Sequence, residues 1–178
     1  KELSKQKDPY VFIALHGGMA EDGQLQRQLE SYNIRYNGSG SKASEICMDK
    51  FQTSVYTSEW DDEVLTIIPK KILMYSEIEH LNVQAISVLW KDIKKQLGAK
   101  KVIIKPTKEG CSTAVVCLTN RDDFRHYIEA IVSNDAVMRL SKDRLVTLPK
   151  NRPDCFLLEP YIELDSIQMH HAKLEHSS

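Results

Sequence analysis

The sequence predicts a mixed α/β fold, and three stretches carry that prediction. Residues 10–15 form an unbroken apolar run, Tyr-Val-Phe-Ile-Ala-Leu, which stops at His16-Gly17-Gly18. A run of this kind suits a buried parallel strand. Residues 85–97 place Ile86, Leu89, Trp90, Ile93 and Leu97 on one helical face, and Gly98 ends the helix. Residues 102–118 read as strand, loop and strand. The apolar run Val102-Ile103-Ile104 ends in Lys105-Pro106, a loop with Lys108, Gly110 and hydroxyls follows, and a second apolar run closes at Leu118.

Composition narrows the function classes. A chain of 178 residues can bury a real core as one domain or two small ones. Its 42% hydrophobic and 28% charged residues are ordinary for a soluble globular protein. A formal net charge of -1 argues against a general nucleic-acid or membrane-surface binder, since both need a basic excess. No apolar run is long enough to span a bilayer. The first eight residues are polar and do not read as a signal peptide. Cys47, Cys111, Cys117 and Cys155 form no CxxC pair and no Cys/His ligand box, so we read them as reduced thiols of an intracellular protein.

Taken in order, the charged residues 1–8 form a lead-in to the first strand. His16 follows that strand's carboxyl end, where open α/β sheets bind ligands. It is either a substrate contact or a hydrogen-bonded loop histidine. The stretch 24–32 puts Leu25, Leu29 and Tyr32 on one helical face, with Asn33 as its stop, and 34–37 is a short extended piece. Ser41 can cap a helix over 42–57 whose apolar stripe is Ala43, Ile46, Cys47 and Phe51. Lys50 lies off that stripe and reads locally as solvated surface. Asp61-Asp62-Glu63 reads as an acidic turn, 64–68 as a strand stopped by Pro69, and 72–75 as another extended piece.

In the central loop, a lysine at a strand end beside a glycine suits a phosphate chain, although the spacing is not the Walker pattern. A plain surface hairpin is the other reading. Asn120 can cap a helix over 122–132 that buries Phe124, Tyr127, Ile128 and Ile131. Residues 135–151 read as an irregular helix and a loop. The last strand is 155–162, which Pro160 demotes toward an edge or a turn into a connector. Glu159 inside that apolar run is either edge-exposed or bound to something, because a buried unpaired carboxylate is too costly. The polar tail carries His170-His171.

Three blocks in order then resemble a known family. The first is Phe12-Ile13-Ala14-Leu15-His16-Gly17-Gly18 with Glu21-Asp22-Gly23, Tyr36-Asn37-Gly38-Ser39-Gly40 and Met48-Asp49-Lys50. The second is Ile104-Lys105-Pro106 with Glu109-Gly110 and Ser112, and the third is Leu158-Glu159-Pro160-Tyr161-Ile162. Together they resemble the D-alanine–D-alanine ligases of the ATP-grasp superfamily, over most of the chain.

The resemblance implies an α/β (α+β) architecture in three parts. Residues 1–40 would end a Rossmann-like pre-ATP-grasp domain, 41–158 would form the ATP-grasp small subdomain, and 159–178 would start a truncated C-terminal lobe. It implies an ATP-dependent ligase that joins two D-amino acids through an acyl phosphate. Lys50 and Lys105 would contact the ATP phosphates. Glu159 would accept from the adenine amino group, and the backbone of Tyr161 and Ile162 would meet the ring edge. Lys108, Glu109 and Gly110 belong to the loop 108–113 that would close over the phosphates. His16, Cys111 and Ser112 would face the reacting groups. Cys111 departs from the family's usual serine, and a thiol is a weak donor.

Magnesium would accompany ATP, but its carboxylate ligands fall beyond Ile162 and match nothing in this chain. The implied substrate is D-alanine or a similar amino acid, the implied assembly a homodimer, and the implied compartment the cytoplasm, or a plastid if the protein is of plant type. The alternative is an inactive nucleotide-binding or partner-binding remnant of the same family.

Overall fold

The computed structural model describes residues 2–60, 67–110, 112–140 and 144–163. A short 3-10 turn, Leu3–Lys5, precedes β1 (Tyr10–Val11). Another, Gly18–Ala20, leads into α1 (Gln24–Ser31), and β2 (Arg35–Tyr36) follows. Strands β1 and β2 pair in parallel, so strand, helix and strand make one βαβ unit. Asn33 turns the chain at φ 53, as its position after the helix predicts.

Two expectations for this unit need correction. The strand is two residues long, not six, and it is not buried: Phe12 is 73% and Leu15 64% exposed. Among the described residues only β2 pairs with it, and a two-residue ladder covers neither of its faces.

The helix expected over 42–57 is two helices, α2 (Ser41–Met48) and α3 (Lys50–Ser58). The break is Asp49, whose extended backbone lets its carboxylate accept from the N–H groups of Phe51 and Gln52. A carboxylate offered to unpaired helix-start N–H groups favours starting a helix anew over continuing one. Gly40, not Ser41, is the N-cap of α2. The apolar stripe is not buried either: neither helix has a buried residue, and Cys47 is exposed.

Glu30 ties α1 to the start of α2. Its carboxylate accepts from the Ser41 hydroxyl (2.6 Å), the Ser41 N–H (3.0 Å) and the Tyr36 hydroxyl. These donors hold Glu30 down at about 2, and donation to that carboxylate pushes Tyr36 up to about 12. A depressed carboxylate stabilises the fold above its ordinary value of 4.5 and loses that effect as pH falls toward 2. Acid unfolding of Glu30→Gln should therefore be flatter than wild type across that window. Identical acid limbs would show that the contact adds no stability.

Gly23 makes the closest approach between these segments. Its φ is +87°, and a Cβ there would lie 2.3 Å from the Ser41 carbonyl oxygen. Gly23→Ala should cost about 1–3 kcal/mol in backbone strain alone, with a further loss as α2 is pushed aside. A denaturation midpoint equal to wild type would contradict that contact.

The larger sheet is antiparallel, in the order β3-β8-β4-β5. Its strands are β3 (Lys71–Met74), β4 (Val102–Pro106), β5 (Val116–Leu118) and β8 (Cys155–Pro160). A short helix, α4 (Tyr75–Ile78), follows β3. Helices α5 (Val83–Leu97) and α6 (Arg121–Ser133) cover one face. Asn82 and Asn120 cap their starts, and Gly98 and Asn134 end them in the left-handed region. The core lies between this layer and the sheet: Trp90 stacks on Phe124 at 5.4 Å, and Tyr127 meets Phe156 edge-on at 5.9 Å.

Three further corrections follow. Residues 135–151 hold a hairpin, β6 (Val137–Arg139) with β7 (Leu145–Thr147), rather than a helix. Val137, Met138, Arg139 and Leu140 alternate exposed and buried, which is strand periodicity. Strand β5 starts at Val116 because Ser112 and Ala114 both have positive φ, at 57° and 53°. Strand β8 is interior, not an edge, and of the two expectations for Pro160 the turn into a connector is the one that holds. Pro160 is its last residue, so the missing N–H costs the ladder nothing further along. The acidic turn 61–63, most of the strand expected at 64–68, Cys111 and the histidine pair 170–171 lie outside the described residues.

Candidate nucleotide site

The large sheet has two unlike faces. Val102, Ile104, Phe156 and Leu158 point into the helical layer and are buried. The pleat sends Ile103, Lys105 and Glu159 to the opposite face, where they are half-buried. Antiparallel sheets commonly bury one face and leave the other for water or a ligand.

Register brings two of the expected residues together. Ile103 lies opposite Glu159 and Lys105 opposite Leu157, so Lys105 and Glu159 are diagonal neighbours. Their side chains form an ion pair, and each is only about one-fifth exposed. This answers why a carboxylate sits inside the apolar run of β8: it is held by a lysine 54 residues away.

Lys50 joins this face from α3. Its backbone N–H donates to the Thr107 carbonyl at 2.9 Å, and its ammonium donates to the Glu109 carbonyl. Burial, and next the Lys105 charge, push the Lys50 ammonium below its ordinary value, partly offset by Glu109 and Asp49. The local reading of Lys50 as solvated surface is therefore corrected: the Asp49 break turns it onto the loop. Lys108 is exposed and sits 3.8 Å from the Asp49 carboxylate. Gly110 accepts from the Thr113 N–H, and Ser112 is exposed in the turn that follows. Asp49, Phe51, Met74, Thr107, Lys108 and Cys155 help line a cavity of about 340 Å³ under this loop. Burial pushes the Cys155 thiol up, so it stays protonated there.

The other expected residues are placed apart. Tyr161 donates its N–H to the Lys101 carbonyl at 3.0 Å, and the Lys101 ammonium lies 5.7 Å from its ring. Tyr161 and Ile162 are both exposed just past β8. His16 is almost fully exposed after β1, 3.9 Å from Glu21, with no hydrogen bond or ion pair to Lys50, Lys105 or Glu159. The sequence reading missed Asp49 and Thr107. Asp49 had a local signal, an N-cap residue type directly before Lys50. Thr107 had none, because its role is a backbone carbonyl.

Two lysines and a carboxylate converging on the sheet face opposite the helices can take a phosphate chain and a hydrogen-bond donor together. Comparison with known proteins gives this arrangement a family. No family model matches the chain. A D-alanine–D-alanine ligase of Burkholderia pseudomallei is 32% identical over 132 residues, 74% of this chain. The chain belongs to the D-alanine–D-alanine ligase family. The D-alanine–D-alanine ligase structure of Bacillus anthracis superposes with a TM-score of 0.63 at 26% identity, over 91% of this chain. A second structure from that organism, complexed with ATP, superposes with a TM-score of 0.58 at 24% identity, again over 91% of this chain.

This is a family of ATP-dependent ligases, and the mixed α/β fold expected from the sequence is the one found in its solved members. The chain spans 39% of the length of the Burkholderia relative and 42% of the first Bacillus chain.

The chain's residues fit ATP better than they fit a metal ion. Lys50 and Lys105 supply charge on one face, and Glu159 supplies an acceptor beside them. Among the described residues no group of three or more His, Cys, Asp or Glu could hold a metal ion. Magnesium therefore finds no ligand set among them. Among the described residues, too, no helix is long and apolar enough to cross a membrane.

Proposed function

We propose that this chain supplies the ATP-binding face of a ligase that joins two D-amino acids through an acyl phosphate. The observation that carries this reading is the convergence of Lys50, Lys105 and Glu159 on the face of the sheet opposite the helical layer. Lys105 and Lys50 hold the phosphates, and Glu159 accepts from the adenine amino group while the chain at Tyr161 and Ile162 borders the ring. The loop with Lys108, Glu109, Gly110, Cys111 and Ser112 covers the phosphates and keeps water from the acyl phosphate. His16 approaches the substrate carboxylate.

In this reading residues 1–40, 41–158 and 159–178 are the end of the first domain, the small ATP-grasp subdomain and the start of the last lobe. The enzyme acts on D-alanine or a similar amino acid, as a cytoplasmic homodimer. The relatives named above are bacterial and lend no support to a plastid location.

The test is ADP release by the 178-residue chain with ATP and magnesium, with and without D-alanine. D-alanine-dependent release supports the ligase. ATP binding without release assigns the chain to the alternative, a nucleotide-binding remnant.

The depressed Lys50 gives a second test. Phosphate binds the protonated ammonium, so ATP affinity should fall as pH rises through Lys50's lowered range, earlier than for an ordinary lysine. Lys50→Arg stays charged and should flatten the alkaline limb. Superimposable pH profiles for the two proteins would place Lys50 away from the phosphates.

A further inference from the structure

The Lys105 ammonium is not idle in the ligand-free fold. Glu159 pairs with it across neighbouring strands, and both side chains are about four-fifths buried, where solvent screens a charge pair less than it does at the surface. Lys50, by contrast, donates to a neutral carbonyl of the loop, with the Asp49 and Glu109 carboxylates acting on it without a hydrogen bond between them among the described residues. The two cations of this face are therefore unequal. An anion can approach Lys50 by displacing a dipole, but at Lys105 it must compete with a full negative charge already in place.

We propose that Glu159 is a specificity-determining residue that makes this face reject bare polyphosphate. The proposal rests on the nucleotide reading above and adds a selectivity to it. A ligand that carries only phosphate oxygens gains Lys105 but brings its charge against the Glu159 carboxylate, and nothing in it satisfies that carboxylate. A nucleotide carries both a phosphate chain and a hydrogen-bond donor, so it meets Lys105 and Glu159 at once. Selectivity then comes from a repulsive element as much as from an attractive one. Its use is plain for a site in a cell: inorganic phosphates would otherwise occupy the two lysines.

The experiment titrates the 178-residue chain with inorganic tripolyphosphate and, separately, with ATP, for wild type, Glu159→Gln and Glu163→Gln. Glu163 is the control, since its removal deletes the same charge from the neighbouring exposed pair with Lys101. Glu159→Gln should tighten tripolyphosphate about tenfold, equivalent to about 1.4 kcal/mol, and should not tighten ATP by as much. Glu163→Gln should leave both unchanged. Glu159→Asp keeps the charge but shortens its reach, and should give an intermediate gain. It also stands in if the glutamine variant does not fold.

Wild type that binds ATP together with a Glu159→Gln variant whose tripolyphosphate affinity is unchanged overturns the proposal and leaves the nucleotide reading intact. Equal tightening by Glu159→Gln and Glu163→Gln also overturns it, because net charge alone would then be the cause. A folded wild type that binds neither ligand, with a glutamine variant that binds neither, removes the nucleotide reading and the proposal with it.

Discussion

Lys105→Ala should weaken ATP binding by about a hundredfold or take it below detection. Two effects act in the same direction. A charge-assisted hydrogen bond contributes about 1.5–3 kcal/mol, which is roughly 10- to 150-fold in affinity. Removing the ammonium also uncovers the Glu159 carboxylate, about one-fifth exposed, and leaves it to repel the phosphates. The double variant Lys105→Ala/Glu159→Gln should recover part of the loss, and the difference between the two measures the uncovered charge. An unchanged dissociation constant in Lys105→Ala would take this lysine out of the site.

Phe124→Ala should cost about 3–5 kcal/mol of stability, the usual range for emptying an aromatic from a packed core. Phe124 is fully buried and stacks on Trp90 at 5.4 Å, which joins α6 to α5 beneath the sheet. Against a typical total of about 5–15 kcal/mol, this is a large share, and the midpoint temperature should fall by roughly 6–20 °C. Phe124→Leu retains most of the volume and should lose less. A Phe124→Ala midpoint within about a degree of wild type would show that the two helices do not depend on this stack. The phenotype is separable from that of Lys105→Ala, which leaves the Trp90–Phe124 stack in place and is read in ATP binding.

The parts that were legible before the structure share a physical cause. Helices α5 and α6 announce themselves because their apolar residues repeat at helical spacing and their ends carry Asn82, Gly98 and Asn120, whose types match the caps they form. The pair of strands β4 and β5 was readable for a similar reason, since the turn residues between them break two apolar runs.

The misread parts depended on context. Residues 41–58 keep an apolar helical repeat across the break, so only the Asp49 cap betrays two helices. In the hairpin 137–147, charged residues between Val137 and Leu145 hid a period of two. The first strand looked buried because an apolar run says nothing about what covers it.

The site itself was legible mainly through motif resemblance. Local pattern left Lys50 as surface. The Lys105–Glu159 pair needs the β4–β8 register, which joins residues 54 apart and is set by the whole sheet. The resemblance alone places His16 near the reacting groups; in the structure it is exposed, 3.9 Å from Glu21.

The central claim is that the face of the β3-β8-β4-β5 sheet opposite its helices binds a nucleotide. Calorimetric titration of the 178-residue chain with ATP and magnesium tests it most directly. The account predicts saturable binding that Lys105→Ala removes; a folded, thermally cooperative sample that gives no binding heat across several temperatures would contradict it.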